Sequence, residues 1–261
     1  MKTLIRWSAA LALAGGIFLG SLFADQSRAF ALSDEQVIEQ LRTVPVFTVM
    51  SGEGNILLVT PEGEETPVAT VFMSHQSAEA FLASLRETDP ETAGNAQLLI
   101  LSLADIYQLA LENQENPLRI AIIPVQEEVE AARTVLQENG ENPEEFQGVP
   151  LFYPAGTEDG VLLTQRQGDE EIIPMFFERE QLDQWLSQIQ QTQPDIVANV
   201  RVRVGTLERL IQNLQASEDQ ELTRIYLVPS EESAEFIRSL QPTEGQTPEQ
   251  PQQTPPEQPN Q

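Results

Sequence analysis

The segment VPVFTV at residues 44–49 returns as VPLFYP at residues 149–154, 105 positions further on. An internal duplication constrains the fold more than any single motif, because both halves must use one order of strands and helices. The correspondence continues beyond the opening strand. VPVFTV runs through the turn SGEGN into ILLVT (56–60), and VPLFYP runs through AGTEDG into VLLTQ (161–165). Each pair reads as a hairpin around a glycine-containing loop. A second acidic turn follows in both halves, PEGEE (61–65) and RQGDEE (166–171). VATVFMSHQSAEAFLASL (68–85) then matches IIPMFFEREQLDQWLSQI (172–189), with Phe72 on Phe176, Met73 on Phe177, Phe81 on Trp185 and Leu82 on Leu186.

Ala78, Phe81, Leu82 and Leu85 recur at the i, i+3, i+4, i+7 spacing of an amphipathic helix, and Leu182, Trp185, Leu186 and Ile189 repeat it. AQLLILSLADIYQLAL (96–111) and ANVRVRVGTLERLIQNL (198–214) each read as a strand running into a helix. RIAIIP (119–124) and RIYLVP (224–229) end in prolines that precede the helices VQEEVEAARTVLQ and SEESAEFIRSL. Ser33-Asp34-Glu35-Gln36 resembles a capping box that starts a helix ahead of the first repeat. The expected fold is α/β, of the mixed α+β kind. Two β-β-β-α-β-α-β-α halves should be related by an approximate two-fold axis, with mixed sheets covered by helices. The expected boundaries are a first repeat over 32–140 and a second over 141–240, packed together because ENGENPEEFQG (138–148) is too short for a flexible linker.

Both ends are expected to lie outside this fold. Lys2 and Arg6 precede an uncharged, mostly apolar run from Ala9 to Phe23, and Ala29-Phe30-Ala31 supplies the small residues of a cleavage site. That is the pattern of a cleaved secretory signal over 1–31. The rival reading is a membrane anchor, but fifteen residues with three glycines fall short of the roughly twenty apolar residues of a span. At the other end, 241–261 holds six prolines and seven glutamines and no aliphatic or aromatic residue. Such a tail has nothing to bury against its ordering entropy and is expected to be disordered.

Composition narrows the function. Without residues 1–31 the chain has 11 Lys+Arg against 40 Asp+Glu, a formal net charge of −29, and all eleven basic residues are arginine. A field of that sign repels nucleic acid and anionic membranes and keeps a protein soluble. Cysteine is absent, which excludes thiol nucleophiles, disulfides and thiolate metal sites. His75 is the only histidine, so neither a histidine metal site nor a triad has its partners, and it reads as a structural residue at a helix start. Glu127-Glu128 and Asp169-Glu170-Glu171 have groups for acid–base work, yet lie at a helix start and in a turn, where such charge is ordinary. The expectation is a non-enzymatic protein with no catalytic, cofactor-binding or metal residue.

VPVFTV, TPVATVFMSHQSAEAFLASL and VPLFYP…IPMFFEREQLDQWL together resemble the Tic-twenty-two family over about residues 33–240. That family includes the intermembrane-space component of chloroplast protein import and its cyanobacterial periplasmic relatives. The resemblance implies chaperone-like handling of unfolded or precursor proteins between two membranes, with outer-membrane assembly components as further partners. The leader looks like a bacterial export signal, which favours the cyanobacterial periplasm, with the thylakoid lumen as the alternative. The implied activity is that of a chaperone or translocation factor in outer-envelope biogenesis. A stable adaptor of an envelope assembly is the competing class, and a carboxylate hydrolase the remotest. A chaperone needs apolar surface, and the candidates for a client groove are Phe47, Phe72, Met73, Phe152, Phe176 and Phe177. Strand side chains alternate, so one member of each adjacent pair should be core and the other nearer the groove. The alternative is that helices bury both faces.

Overall fold

The computed structural model describes residues 32–60, 66–114, 118–157, 160–217 and 219–240, together with two short strands, β1 (Ile5–Arg6) and β2 (Ile17–Phe18). The remainder of the expected leader, the acidic turn at 61–65 and the tail at 241–261 lie outside the described residues. The folded part begins at the expected capping box. Ser33 Oγ accepts the Gln36 N–H at 3.3 Å, and Gln36 Oε1 accepts the Ser33 N–H at 3.0 Å. These bonds satisfy donors that α1 (Asp34–Leu41) would otherwise leave unpaired.

The first repeat follows as β3 (Pro45–Met50), β4 (Leu58–Thr60), β5 (Val68–Phe72), α2 (His75–Thr88), α3 (Pro90–Ala93), β6 (Gln97–Ser102), α4 (Leu103–Glu112), β7 (Arg119–Ile123) and α5 (Gln126–Glu138). The second follows as β8 (Pro150–Gly156), β9 (Gln165–Gln167), β10 (Glu170–Phe176), α6 (Arg179–Thr192), α7 (Pro194–Val197), β11 (Val200–Thr206), α8 (Leu207–Ala216), β12 (Ile225–Val228) and α9 (Glu231–Leu240).

The two sheets repeat each other strand for strand. In the first, β3 lies antiparallel between β6 and β5, and β5 runs parallel to β7. In the second, β8 lies antiparallel between β11 and β10, and β10 runs parallel to β12. The registers match residue by residue. Phe47 is opposite Phe72 and Phe152 opposite Phe176. Val71 is opposite Ile122 and Met175 opposite Leu227. Around this shared frame, β4 pairs with the start of β5, β1 pairs in parallel with β4, and β2 pairs antiparallel with β7.

The two opening hairpins are short in the same way. Ile56 pairs with Met50 and Leu162 with Ala155 through single bridges, and Val161, 62 % exposed, accepts the Gly156 N–H at 2.9 Å. The longer antiparallel pairing follows in each repeat, β4 with β5 and β9 with β10, and in the second repeat Gly168 at φ +64° makes the tight turn that sets its register.

Strand alternation divides the core into an inner layer and two outer ones. Val46, Val71, Met73 and Ile122 face Leu151, Met175, Phe177 and Leu227, joined by α1, α4 and α8 in one continuous inter-sheet cluster. On the outside of the first sheet, Phe47 and Phe72 pack with Ala78 of α2 and Phe236 of α9. On the outside of the second, Phe152 and Phe176 pack with Leu182 of α6 and with Val129, Ala132, Val135 and Leu136 of α5. The repeats therefore exchange their last helices. α5 leaves the first sheet and covers the second, and α9 leaves the second and covers the first.

Candidate functional site

The exchange brings four helix N-termini to one place, where the repeats meet. α2 starts after Ser74, α6 after Glu178, α5 after Val125 and α9 after Ser230. A helix start carries unpaired N–H groups and the positive end of the helix dipole, so carboxylates settle there. Here the carboxylates come from neighbouring helices. Glu232 of α9 accepts the N–H of His75 at 3.3 Å and of Gln76 at 3.2 Å, at the start of α2. Glu128 of α5 accepts the Arg179 N–H of α6 at 2.9 Å. Glu178, which precedes α6, accepts the Glu231 N–H of α9 at 3.1 Å. α5 and α6 have no side-chain cap from their own N-cap residues. These bonds, those of Glu232 and Glu128 between the repeats and that of Glu178 within the second, do capping work and hold the exchanged helices in place.

Glu79, Glu128, Glu178, Glu180, Glu231, Glu232 and Glu235 line a cleft of about 860 Å³ with His75 and Phe236. Burial pushes the carboxyl groups of Glu128 and Glu178 above their ordinary pKa. The backbone bonds each accepts oppose that rise, and neighbouring glutamates add to it. His75 does not stand alone in this cleft. Its ring stacks on Phe236 with centroids 3.6 Å apart and meets Phe47 edge-on at 5.4 Å, and its Nε2 lies 3.5 Å from Glu79 Oε1. It fastens α9 to α2, in keeping with the structural role expected of it.

Beneath the cleft lies an apolar cavity of about 20 Å³, lined by Val44, Pro45 and Met73 from one repeat and Val149, Pro150 and Phe177 from the other, with Glu128 and Glu178 at its rim. Space of that size admits about one water molecule. It is a seam between the repeats and too small to seat a client chain.

All six expected groove residues are buried, with Phe47 and Phe152 at 0 % exposure and Phe72, Met73, Phe176 and Phe177 at 4–5 %. The side chains do point to opposite faces, Met73 and Phe177 into the inter-sheet core and Phe47, Phe72, Phe152 and Phe176 outward, but both members of each pair are core. The groove does not follow from this alternation, because α2 and α9 cover one outer face and α5 and α6 the other. None of Phe47, Phe72, Met73, Phe152, Phe176 and Phe177 lies on an open surface. Phe47 meets Phe72 and Phe152 meets Phe176 within each sheet, and of the six only Met73 and Phe177 meet across the repeats, at the seam cavity.

The residues missed from sequence are the capping glutamates and the Val-Pro pairs that line the seam. The repeated Val-Pro was visible as the mark of the duplication. The glutamates read as ordinary first-turn acids, because their partners lie 51 to 157 positions away. Elsewhere, Glu171 is taken up by Arg224 at 2.8 Å. Among the described residues no cluster of three or more His, Asp or Glu side chains is placed to hold a metal ion. No described helix is long and apolar enough to cross a membrane.

Two duplicated sheets, exchanged terminal helices and a glutamate-capped seam define a two-repeat α/β protein. The chain belongs to the Tic22-like family, whose family model matches residues 19–239. It is similar to the chloroplastic protein TIC 22 of Pisum sativum, at 24 % identity over 206 residues covering 79 % of this chain and 77 % of that protein. Its match to chloroplastic TIC 22 of Arabidopsis thaliana is 23 % identical and covers 80 % and 73 %. The structure is similar to Tic22 of Anabaena, a protein-transport protein, with a TM-score of 0.69, 27 % identity and coverage of 81 % of this chain and 99 % of that one. Tic22 from Plasmodium falciparum shares the fold at a TM-score of 0.61 and 21 % identity, over 78 % and 96 % of the two chains.

Proposed function

We infer that this protein serves protein transport, as a non-enzymatic chaperone or translocation factor that handles unfolded proteins between two membranes. The similarity to Anabaena Tic22 along 99 % of that chain is the observation that carries this reading. The formal net charge of −29 outside the leader supports it, since a strongly charged carrier keeps a bound unfolded segment in solution. The bacterial form of the leader supports export to a cyanobacterial periplasm and a part in outer-envelope biogenesis. In this conformation the aromatic strands are closed, so clients are met at the surface or after an exchanged helix lifts. Crosslinking in intact cells, followed by identification of the partners, tests the reading. A spread of precursor and envelope proteins supports it, and one stoichiometric partner would favour a stable adaptor instead.

A further inference from the structure

β7 is an outer strand of the first sheet, and its peptide groups divide by parity. The Met73 N–H donates to the Ile123 carbonyl at 3.1 Å, on the β5 side. Arg119 and Ala121 therefore also turn their peptide groups toward β5, while Ile120 and Ile122 turn theirs outward. The chain's own N-terminal segment meets that edge. β2 runs antiparallel to β7 with Ile17 opposite Ile122 and Phe18 opposite Ala121. Ile17 thus sits across from a residue whose N–H and C=O both point toward it, the arrangement of a hydrogen-bonded antiparallel pair.

The second repeat shows what differs. The Phe177 N–H reaches the Val228 carbonyl at 3.5 Å, so Ile225 and Leu227 of β12 turn outward in the same way. There α1 packs against β12, and Gln40 Nε2 donates to the Leu222 carbonyl just ahead of it at 2.6 Å. At β7 the partner of the outer edge is β2, part of the apolar run from Ala9 to Phe23. Removal of the leader would leave that edge open, and open edges of apolar strands take up other strands.

We propose that the outer edge of β7 is a strand-addition site for an extended, uncharged apolar segment of an unfolded client, and that Ile17–Phe18 occupies it within the chain. The proposal rests on the client-handling reading above. Main-chain hydrogen bonding captures such segments with little demand on their sequence, as clients of varied sequence require. The occupant's chemistry is that of the segment seated there. A second copy is disfavoured, because two bodies each carrying a formal charge of −29 repel one another.

The test is amide hydrogen exchange on the full chain carrying Ile17→Pro and Phe18→Pro; the first removes the β2 N–H that faces Ile122, and the two rings together disrupt the strand without touching β7. Exchange at Ile120 and Ile122 should rise at least tenfold over the unsubstituted chain, with Phe47 and Phe72 unchanged. A synthetic peptide with the sequence of residues 13–23 should restore protection, and the same peptide with both prolines should not. The restoring peptide should also compete with an unfolded client in an aggregation assay. Unchanged exchange in the proline variant, or no restoration by peptide, overturns the site. Protection that grows with protein concentration alone overturns it in favour of a second copy. If the peptide binds at β7 but aggregation is never suppressed, the client-handling reading fails and the strand-addition site stands for extended segments. If aggregation is suppressed and the peptide does not compete, the site fails as the client seat and the reading stands.

Discussion

Phe236, in the last helix, packs its ring 5.8 Å from that of Phe47, in the first strand of the first repeat. The contact closes the exchange of helices between the repeats. Phe236→Ala should cost about 2–4 kcal/mol, because it removes an aromatic from between α9 and the first sheet. Hydrogen exchange should rise in β3 and β5 ahead of β8 and β10. Equal exchange across both sheets would show that α9 does not seal the first one.

The six aromatic-strand residues are expected to behave alike in stability. Phe47→Ser, Phe72→Ser, Phe152→Ser, Phe176→Ser, Phe177→Ser and the matching change at Met73 should each cost on the order of 3–5 kcal/mol, since a polar group enters a closed core and leaves a cavity. Denaturant unfolding monitored by circular dichroism gives the values. A member that costs less than the rest and weakens client protection would mark an open surface at that position.

Much of this was legible in the sequence. Strands apolar on both faces, as in Val71-Phe72-Met73, left each side of the sheets to be either covered or partly open, and the register of Phe72 with Phe176 came out of the repeat itself. What covers them was not legible. α5 and α9 carry ordinary amphipathic patterns, and nothing local says whether such a helix folds back on its own sheet or crosses to its neighbour. The candidate groove read exposure into residues whose cover arrives from the other repeat. The hairpins read at 56–60 and 161–165 shrink to single bridges, and in the second repeat the apolar Val161-Leu162-Leu163 outweighed the turn at Gly168, which decides the register.

Glu232 caps α2 from a distance of 156 residues or more. Glu232→Ala should cost about 1–2 kcal/mol, the usual range for losing a cap, through two N–H groups left without their carboxylate. Glu232→Gln should recover part of that loss. Thermal unfolding of the three forms checks it, and an unchanged Tm for the alanine form would remove Glu232 from the fastening of α9.

Glu208 is a buried acid peculiar to the second repeat, 4 % exposed. Its carboxylate accepts the Val149 N–H at 3.2 Å through each oxygen. Burial pushes its pKa from 4.5 to about 7, against the lowering effect of its hydrogen bonds. Between those values the folded chain holds a proton that the unfolded chain has released. Stability therefore rises as pH falls through that window and is lost as pH rises through about 7. The shift corresponds to about 3 kcal/mol. Burial raises Glu128 and Glu178 as well, so they act with the same sign. Glu208→Gln should raise the Tm on the alkaline side of neutrality and flatten its fall with pH. Parallel Tm profiles for the two proteins would contradict the assignment.

The proposed function is to keep unfolded chains in solution without catalysis. The direct measurement is light scattering from a chemically unfolded client diluted into buffer with increasing amounts of the purified protein and no nucleotide. Scattering should fall steadily and be abolished near equimolar protein. Scattering that stays unchanged at every ratio, for clients of differing sequence, would contradict it and leave the stable adaptor as the better description.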